Sequence, residues 1–292
     1  MIRWRGFPLI RTTEVAVVTA RYLSVCALLA LVTGCAAGRI SLPEGPGTPF
    51  PGYAALFETA VSECATTRQW DGLIRLRGRS GGLRINDRVA AGLAAPGSVR
   101  LELRGPFGQV GFVLVASPDE ATLWLTREGR VLRDVSAADM LEALIGLPFG
   151  PEDLRAVLTG CLVPNPQPTA GRSIGEWVVV DLAGGAVAYL QPVDGEYHLT
   201  VGVRDGITIE YDRFRRRTPR LVRLRSVPAD ANDRARPFID LEAAFTSVNL
   251  NLEFPDGAFS SAGLVPADVV PMTLEDLRRM RPMEASPASR SF

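Results

Sequence analysis

Cysteines are the residues of this chain whose type and position most clearly indicate chemistry. Four are present, Cys26, Cys35, Cys64 and Cys161, and no two of them form a C-x-x-C pair. His198 is the single histidine of the chain. Zinc and haem sites draw on closely spaced cysteines and histidines. The sequence therefore predicts no metal site and no cofactor.

The segment before Cys35 has the pattern of an export signal. Arginines are frequent up to Arg21, and the run Tyr22–Thr33 that follows carries no charge. This run is about a dozen residues long, which is too short for a helix that crosses roughly 30 Å of hydrocarbon and suits the apolar region of a signal peptide. It leads into Val32-Thr33-Gly34-Cys35, which resembles the bacterial lipobox.

The lipobox resemblance implies that residues 1–34 are a cleaved signal peptide and that Cys35 becomes the lipidated first residue of the mature protein. The cysteine would carry a thioether-linked diacylglycerol and an acylated amino group, which radioactive palmitate would label. Several acyl chains, at about 0.8 kcal/mol per buried methylene, hold a protein stably on a membrane. The alternative is an ordinary buried cysteine at the end of an N-terminal apolar segment.

Cys64 and Cys161 are the thiols that remain once the signal peptide is removed. Compartments outside the cytoplasm are oxidising, so the two cysteines are candidates for a disulfide. Bridging requires Cα atoms within about 7 Å of each other, a condition that sequence does not reveal. A bridge and a pair of free thiols both stay open at this point.

The segment Gly171–Gly175 matches the G-x-S-x-G pattern of serine hydrolases, with Ser173 at its centre and His198 further along the chain. A nucleophile elbow needs a strand before the serine and a helix after it. Here a proline-rich loop precedes Ser173, and the apolar strand pattern Trp177–Leu182 follows. The context disfavours a hydrolase, and we predict that the protein is not an enzyme.

A basic run lies between two predicted strands and contains Arg213, Arg215, Arg216, Arg217 and Arg220. Such a run is most often a solvated loop, and it can also dock on anionic head groups or on an acidic partner. The chain as a whole has a net charge of +0, so no global field attracts polyanions. The export signal also directs the chain away from nucleic acid, which we exclude as a partner.

The body of the chain has the composition and periodicity of a β protein. The whole chain has 292 residues, of which 47% are apolar, and this is ample for a large core. From Trp70 onward, apolar and polar residues mostly alternate, which is typical of antiparallel strands with one dry face. Strands are predicted over Leu83–Leu93, Val99–Arg104, Gln109–Ala116, Ala121–Thr126, Trp177–Leu182, Val187–Gln191, Tyr197–Val203, Ile207–Tyr211, Leu221–Val227, Phe238–Phe245 and Val248–Phe254.

Helices are predicted at four places. The i, i+3, i+4 spacing of apolar residues indicates an amphipathic helix from Tyr53 to near Thr67. Ser136 is placed to cap a second helix, Pro151 to begin a third, and Thr273–Met280 forms a last short one. Ten or eleven strands around a central helical pair, without a linker, predict one continuous curved sheet.

The order of these elements resembles the LolA/LolB-like superfamily, nearest to its LolB-like outer-membrane lipoproteins. The segments that carry the resemblance are WDGLIRLRGRSGG, GSVRLELRGPFGQVGFVLVASPDEATLWL, MLEALIGLPFGPEDLRAVLTGCL, YDRFRRRTPRLVRLRS and FTSVNLNLEFPDGAF. The resemblance covers roughly Tyr53 to Phe259, and the extension beyond Phe259 departs from it. It implies a mainly β (α+β) fold in which an unclosed antiparallel half-barrel carries helices as a lid over an apolar cavity.

The resemblance also implies a ligand, since such a cavity accepts acyl chains of lipoproteins or other amphipathic lipids. Apolar residues of the central strands are candidates to line it, although each is also a candidate to pack an ordinary core. They are Leu101, Leu103, Phe112, Leu114, Leu123, Leu125, Val201 and Leu250. Phe107, in the turn Gly105–Gly108, is the candidate for the exposed apolar loop that such a receptor uses at a membrane.

These predictions define the domains and the function. Residues 1–34 are the signal peptide, 35–51 the lipidated N-terminus and flexible tether, 52–265 the half-barrel, and 266–292 a short helix and a disordered tail. The expected protein is a lipoprotein anchored in the outer membrane and facing the periplasm, which receives or inserts lipid. Its expected partners are membrane lipid through Cys35, acyl chains and a periplasmic carrier protein. The alternative is a structural or scaffolding lipoprotein with a filled core that binds an envelope protein complex.

Overall fold

A computed structural model of the chain describes residues 40–80, 83–105, 108–226 and 239–280. Contacts divide the chain into a unit that ends at Leu42 and a unit that begins at Pro43, and every element below lies in the second unit. The predicted signal peptide, Cys35 and Phe107 lie outside the described residues. In the described ranges, no helix is both long enough and apolar enough to cross a membrane.

One sheet of fifteen strands dominates the described part of the chain. In chain order the strands are β1 Thr48–Pro49, β2 Gln69–Ser80, β3 Leu83–Ala94, β4 Ser98–Arg104, β5 Val110–Ala116, β6 Ala121–Leu125, β7 Arg130–Leu132, β8 Pro168–Ile174, β9 Trp177–Leu182, β10 Val187–Val193, β11 Glu196–Arg204, β12 Ile207–Asp212, β13 Leu221–Ser226, β14 Ile239–Leu250 and β15 Val270–Pro271.

The strand order across the sheet is β1-β8-β9-β10-β11-β12-β13-β14-β2-β3-β4-β5-β6-β7-β15. The pairs are antiparallel except β7 with β15, which is parallel. The first and last strands of the chain's main meander, β2 and β14, pair with each other in the middle of this order. The ends of the order, β1 and β15, are edges, so the predicted unclosed antiparallel sheet is confirmed.

Five helices accompany the sheet in the described residues: α1 Tyr53–Ala60, α2 Ser62–Thr66, α3 Ala137–Ile145, α4 Pro151–Thr159 and α5 Leu274–Met280. The predicted helix from Tyr53 to near Thr67 is therefore two helices that meet at Val61. The predicted cap of α3 is present, since the Ser136 hydroxyl oxygen accepts from the Asp139 N–H at 3.1 Å. Gly146 ends α3 with a left-handed φ of 71°.

Two glycines show how closely the helical layer meets the sheet. A Cβ at Gly171 of β8 would lie 2.1 Å from Tyr53 Cβ of α1, and a Cβ at Gly202 of β11 would lie 2.3 Å from Leu162 Cδ1, which follows α4. The sheet face that carries these glycines is the inner face, and the opposite one is the outer face. The hydrophobic core fills the space between the inner face and α1–α4.

Cys64 of α2 and Cys161, which follows α4, form a disulfide with their Cα atoms 5.6 Å apart. The bridge joins the first part of the helical layer to its last part across 97 residues of sequence. The structure thus has the bonded one of the two states that the sequence left open.

The structure corrects the predicted strands in three places. The segment Pro168–Ile174, to which no strand was assigned, is strand β8. Residues 238–254, predicted as two strands, contain the single strand β14, whose pairing with β2 shifts register between Phe245 and Ser247. Thr48 and Pro49, predicted as tether, pair with β8 as β1. Strands β1, β2, β7, β8 and β15 have no counterpart among the predicted spans, and they raise the count above the predicted ten or eleven.

The segment that follows β14 covers part of the outer face. A Cβ at Gly92 of β3 would lie 3.0 Å from the Phe254 ring, and Arg100 of β4 donates to the Ala258 carbonyl at 3.3 Å. Further on, β15 extends the sheet beyond β7, and α5 packs against α3. The predicted last helix is confirmed, and residues 281–292, predicted as a disordered tail, lie outside the described residues.

Candidate functional site

Most of the predicted cavity residues lie on the inner face of β4, β5 and β6. Leu101, Leu114 and Leu123 are directly paired across these strands, and all three are buried. Leu125 is also buried, whereas Leu103, Phe112 and Leu250 are half-buried against the core. These seven residues share one face, as predicted, but the buried ones are packed against other side chains.

Val201 was wrongly grouped with them. It pairs with Tyr189 on one side and Glu210 on the other, and it lies on the outer face, where it is fully buried. The cause is a bulge, because the β10–β11 pairing passes from Leu199 directly to Val201 and leaves Thr200 as an extra residue. A bulge of one residue reverses the alternation of side chains beyond it.

Two clefts lie elsewhere in the structure. One, of about 890 Å³, is bounded by loops that include Pro96, Ser117–Thr122, Arg133–Ala138 and Gly150–Glu152. The other, of about 170 Å³, lies beneath Phe254 and Phe259 on the outer face. None of the eight predicted cavity residues lines either cleft. Both clefts therefore differ in place from the apolar cavity that the family resemblance implies.

The inner face does expose apolar surface at one end. Several large apolar side chains there are only half-buried although they pack against the core. We call this group the apolar rim; its members are Leu76 of β2, Ile85 of β3, Leu103 of β4, Phe112 of β5, and Leu144 and Ile145 of α3. It combines two predicted residues, Leu103 and Phe112, with four that were not predicted to bind lipid.

The apolar rim lies near the end of the β2–β3 hairpin. Strands β2 and β3 are each 12 residues long and pair along their whole length, whereas α3 packs against β6 and α5. The hydroxyl of Ser80, the last residue of β2, donates to the carbonyl of Ile145, the last residue of α3. The end of the β2–β3 hairpin therefore meets the end of α3, and the apolar side chains of the rim are half-buried beside this contact.

Arg204 at the end of β11 fixes the start of α4. Its guanidinium donates to Asp153 Oδ1 at 2.8 Å and to the Leu162 carbonyl at 3.1 Å, and lies 5.0 Å from the centre of the Phe149 ring. Burial alone would lower the pKa of Arg204, but hydrogen bonds to Asp205 and Asp153 raise it above its ordinary value. This charged clamp holds α4 to β11 and the disulfide ties the end of α4 to α2, whereas the end of α3 has neither.

The hydrolase-like motif has no elbow. Ser173 lies within β8 and its hydroxyl donates to the Thr48 carbonyl at 3.4 Å, and the chain then turns into β9 without a helix. His198 is buried, with its ring 4.4 Å from that of Phe214. Among the described residues, no group of three or more Cys, His, Asp or Glu side chains is placed to hold a metal ion.

The missed rim residues had a signal in the sequence. Leu76 and Ile85 continue the inner-face alternation of β2 and β3 toward the hairpin turn, with Asp87, opposite Leu76, as an interruption. The pattern therefore extends the apolar side of the hairpin close to its turn.

Comparisons with known proteins found similarity in structure only. No protein-family model matches the chain, and no curated protein matches it. A LolA superfamily protein from Nitrosomonas europaea is 10% identical, with a TM-score of 0.46 over 70% of this chain and 96% of that one. An outer-membrane lipoprotein-sorting protein domain from Vibrio parahaemolyticus is 10% identical, with a TM-score of 0.41 over 71% and 97%. A DUF1329 family protein from Desulfovibrio piger is 11% identical, with a TM-score of 0.44 over 75% and 100%.

The structures found include the superfamily that the sequence resembles. With identities near 10% and TM-scores below 0.5, this likeness carries no weight for the ligand or the activity. Function has to be judged from the surfaces of this chain itself.

Proposed function

We propose that the protein is a non-enzymatic, lipid-anchored envelope lipoprotein that binds the acyl chains of lipoproteins or other amphipathic lipids at the apolar rim. The proposal places it in the outer membrane, facing the periplasm, where it receives lipid from a carrier protein and inserts it. The observation that carries the proposal is the apolar rim itself, a strip of half-buried Leu, Ile and Phe side chains near the end of the inner face where the β2–β3 hairpin meets the end of α3.

Physical chemistry supports an apolar chain as the ligand. Covering apolar surface contributes roughly 25 cal/mol per Å², and an acyl chain is flexible enough to follow a strip that runs from β2 to β5. Leu103 and Phe112 are directly paired in the rim, and their row continues inward to Leu125. A chain that enters at the rim would therefore meet the predicted lipid-binding residues in sequence as it moves toward the core.

Polar substitution of the rim tests the proposal. The double variant Leu76→Gln/Ile85→Gln is compared with wild type for uptake of a fluorescent fatty acid. Both chains begin at residue 35 and carry Cys35→Ser, so that neither an acyl group nor an apolar signal segment of their own competes. Two amides in the path of the chain lower its affinity by on the order of 10-fold or more, since burying an unpaired amide costs about 1–3 kcal/mol.

A matched control uses two exposed apolar residues that are not members of the rim. Leu252 and Val270 are the large apolar residues with exposed fractions of 57% and 58%, and the double variant Leu252→Gln/Val270→Gln keeps wild-type uptake. Equal loss in both double variants, or no uptake by wild type, would contradict binding at the rim.

The anchor is proposed from the sequence alone, because Cys35 lies outside the described residues. Cys35→Ser is expected to abolish labelling by radioactive palmitate and to leave the precursor uncleaved, whereas Cys26→Ser is expected to leave both unchanged. Phe107 is proposed as the loop residue that enters the membrane, since its turn joins β4 to β5, the strands that carry Leu103 and Phe112 of the rim. Labelling that persists in the Cys35→Ser chain would refute the anchor.

A second candidate function is favoured by the packing of the core. Leu114 and Leu123 have no exposed surface, as expected of a structural or scaffolding lipoprotein whose core is filled and whose surface binds an envelope protein complex. This alternative predicts that protein partners are recovered with the chain from native envelopes and that it takes up no fatty acid. The rim assay therefore separates the two functions.

A further inference from the structure

Six exposed arginines share the outer face of three neighbouring strands. They are Arg75, Arg77 and Arg79 of β2, Arg84 and Arg88 of β3, and Arg104 of β4; we call them the arginine face. We propose that the arginine face is a docking surface for the phosphate head groups of an anionic lipid membrane. The proposed function concerns acyl chains at the inner face, and docking of the arginine face goes beyond it. Docking rests on the proposed function only in assuming that the protein is attached to a membrane.

The register places like charges directly opposite one another. Arg75 pairs with Arg88, which pairs with Arg104, and Arg79 pairs with Arg84. Like charges in directly opposite positions of an antiparallel pair are destabilising. The sheet carries this repulsion with a net charge of +0 over the whole chain, so the positive charge is concentrated locally. An anion bound between the arginines would relieve the repulsion.

Acidic residues lie beside the arginine face but are already engaged. Glu242 and Asp240 of β14 are opposite Arg77 and Arg79, yet they bond to β13, where Arg223 lies 3.1 Å from Glu242 and Arg225 lies 3.4 Å from Asp240.

On the other side, burial would raise the pKa of Glu102, but hydrogen bonds from Arg104 and Arg100 hold it below its usual value. Glu102 is therefore charged at neutral pH and bonded to Arg104 at 2.8 Å. Arg75, Arg77, Arg79, Arg84 and Arg88 form no ion pair with any other described residue. As far as the described residues go, five of the six guanidinium groups have no charged partner and can bind an external anion.

The chemistry of the array favours phosphate on an extended surface. Each guanidinium offers a planar fork of donors that matches phosphate oxygens. Alternate residues of a strand are about 6.6–6.8 Å apart and neighbouring strands about 4.8 Å apart, so the array presents charge over an area and not at one point. A membrane offers phosphates over an area in the same way.

The predicted anchor makes a membrane the nearest such surface. Cys35 and Thr48 are separated by 13 residues, a stretch that spans at most roughly 45 Å when extended. The inner side of the same hairpin carries Leu76 and Ile85 of the apolar rim. Docking through the arginines would therefore hold the rim beside the membrane while leaving it open to lipid.

Vesicle binding tests this proposal. The chain from residue 35 onward with Cys35→Ser, which lacks the apolar segment before it, is mixed with vesicles of phosphatidylcholine alone or of equal parts phosphatidylcholine and phosphatidylglycerol, and bound protein is measured by flotation. We expect binding to the anionic vesicles that weakens as salt is added. The triple variant Arg75→Gln/Arg77→Gln/Arg79→Gln loses on the order of 100-fold in partition coefficient, since each arginine near an anionic surface contributes about a factor of five.

The loop run supplies a control of equal charge. Arg213, Arg215 and Arg216 are exposed, and the triple variant with Gln at these positions is expected to keep wild-type partitioning. If the β2 triple variant fails to fold, as judged by circular dichroism, Arg84→Gln/Arg88→Gln replaces it, with an expected loss on the order of 10-fold or more.

Equal partitioning into neutral and anionic vesicles, or an equal loss in both triple variants, would overturn the proposal. The first result is the one expected if the arginine face binds an acidic protein and not a membrane. Fatty-acid uptake is expected to be unchanged in the β2 triple variant. A failure of lipid binding at the rim is therefore visible separately.

Discussion

Removing the disulfide should destabilise the protein strongly without preventing acyl-chain uptake. Cys64 and Cys161 are 97 residues apart in sequence, and closing a loop of that length removes chain entropy worth about 4.7 kcal/mol from the unfolded state. A domain of this size changes its melting temperature by roughly 2–4 °C per kcal/mol. The double variant Cys64→Ser/Cys161→Ser should therefore melt roughly 9–19 °C lower than wild type.

The assay is thermal unfolding followed by circular dichroism, with and without a reducing agent. Reductant should lower the melting temperature of wild type to that of the double variant and should leave the double variant unchanged. A chain that begins at residue 35, carries Cys35→Ser and keeps Cys64 and Cys161 serves as a control and should melt like wild type. The bridge ties α2 to the end of α4 and does not touch the rim end of α3, so folded double variant should still take up fatty acid at low temperature.

An unchanged melting temperature in the double variant would refute the bridge. Two reactive thiols at Cys64 and Cys161 in folded, oxidised protein would do the same. Loss of uptake by folded double variant would instead show that the helical layer between α2 and α4 takes part in binding.

Two further predictions concern the core. Gly202→Ala should destabilise the protein by about 1–3 kcal/mol in denaturant unfolding, because its Cβ would lie 2.3 Å from Leu162 Cδ1. The control Gly97→Ala, where no atom lies within 4 Å of the added Cβ, should change stability by less than about 0.5 kcal/mol. Equal effects of the two substitutions would show that the helical layer does not press on β11. Burial, and then nearby Arg217, lower the pKa of His198 below its ordinary value, so the unfolded state binds the proton first and stability falls as the pH drops below about 6.5. His198→Phe should remove this fall in the free energy of unfolding between about pH 7 and pH 5. Because His198 is the chain's single histidine, an unchanged dependence of stability on pH in the variant would contradict its burial.

The general architecture could be predicted because strands with one dry face leave a clear record in sequence. Residues such as Leu101 and Leu103 alternate with charged neighbours, and the cap Ser136 marks the start of α3. The unclosed antiparallel sheet and its helices followed from these patterns and their order.

The face of Val201 could not be predicted, because it depends on pairing between strands. Leu199, Val201 and Val203 alternate without interruption in sequence, and only the extra residue Thr200 in the pairing with β10 moves Val201 to the outer face. The register shift near Phe245 likewise made one strand resemble two. Strand β8 was missed for a different reason: proline and glycine weaken the strand pattern of a segment that lies next to the edge strand β1.

The candidate site was predictable only in part. Leu103 and Phe112 belong to the right face, but the sequence does not state how far a helix covers a strand, so a filled core and an open rim could not be separated. The arginine face was also missed, since its residues are spread over β2, β3 and β4 and become neighbours only through the register of the sheet.

The central claim, that acyl chains bind at the apolar rim, is tested most directly by photolabelling. A fatty acid that carries a photoreactive diazirine on its chain is bound to the Cys35→Ser protein, irradiated, and its adducts are located by mass spectrometry of peptides. Adducts are expected on the peptides that contain Leu76, Ile85 and Ile145. Adducts confined to the loops around the 890 Å³ cleft, or no adducts that unlabelled fatty acid displaces, would contradict it.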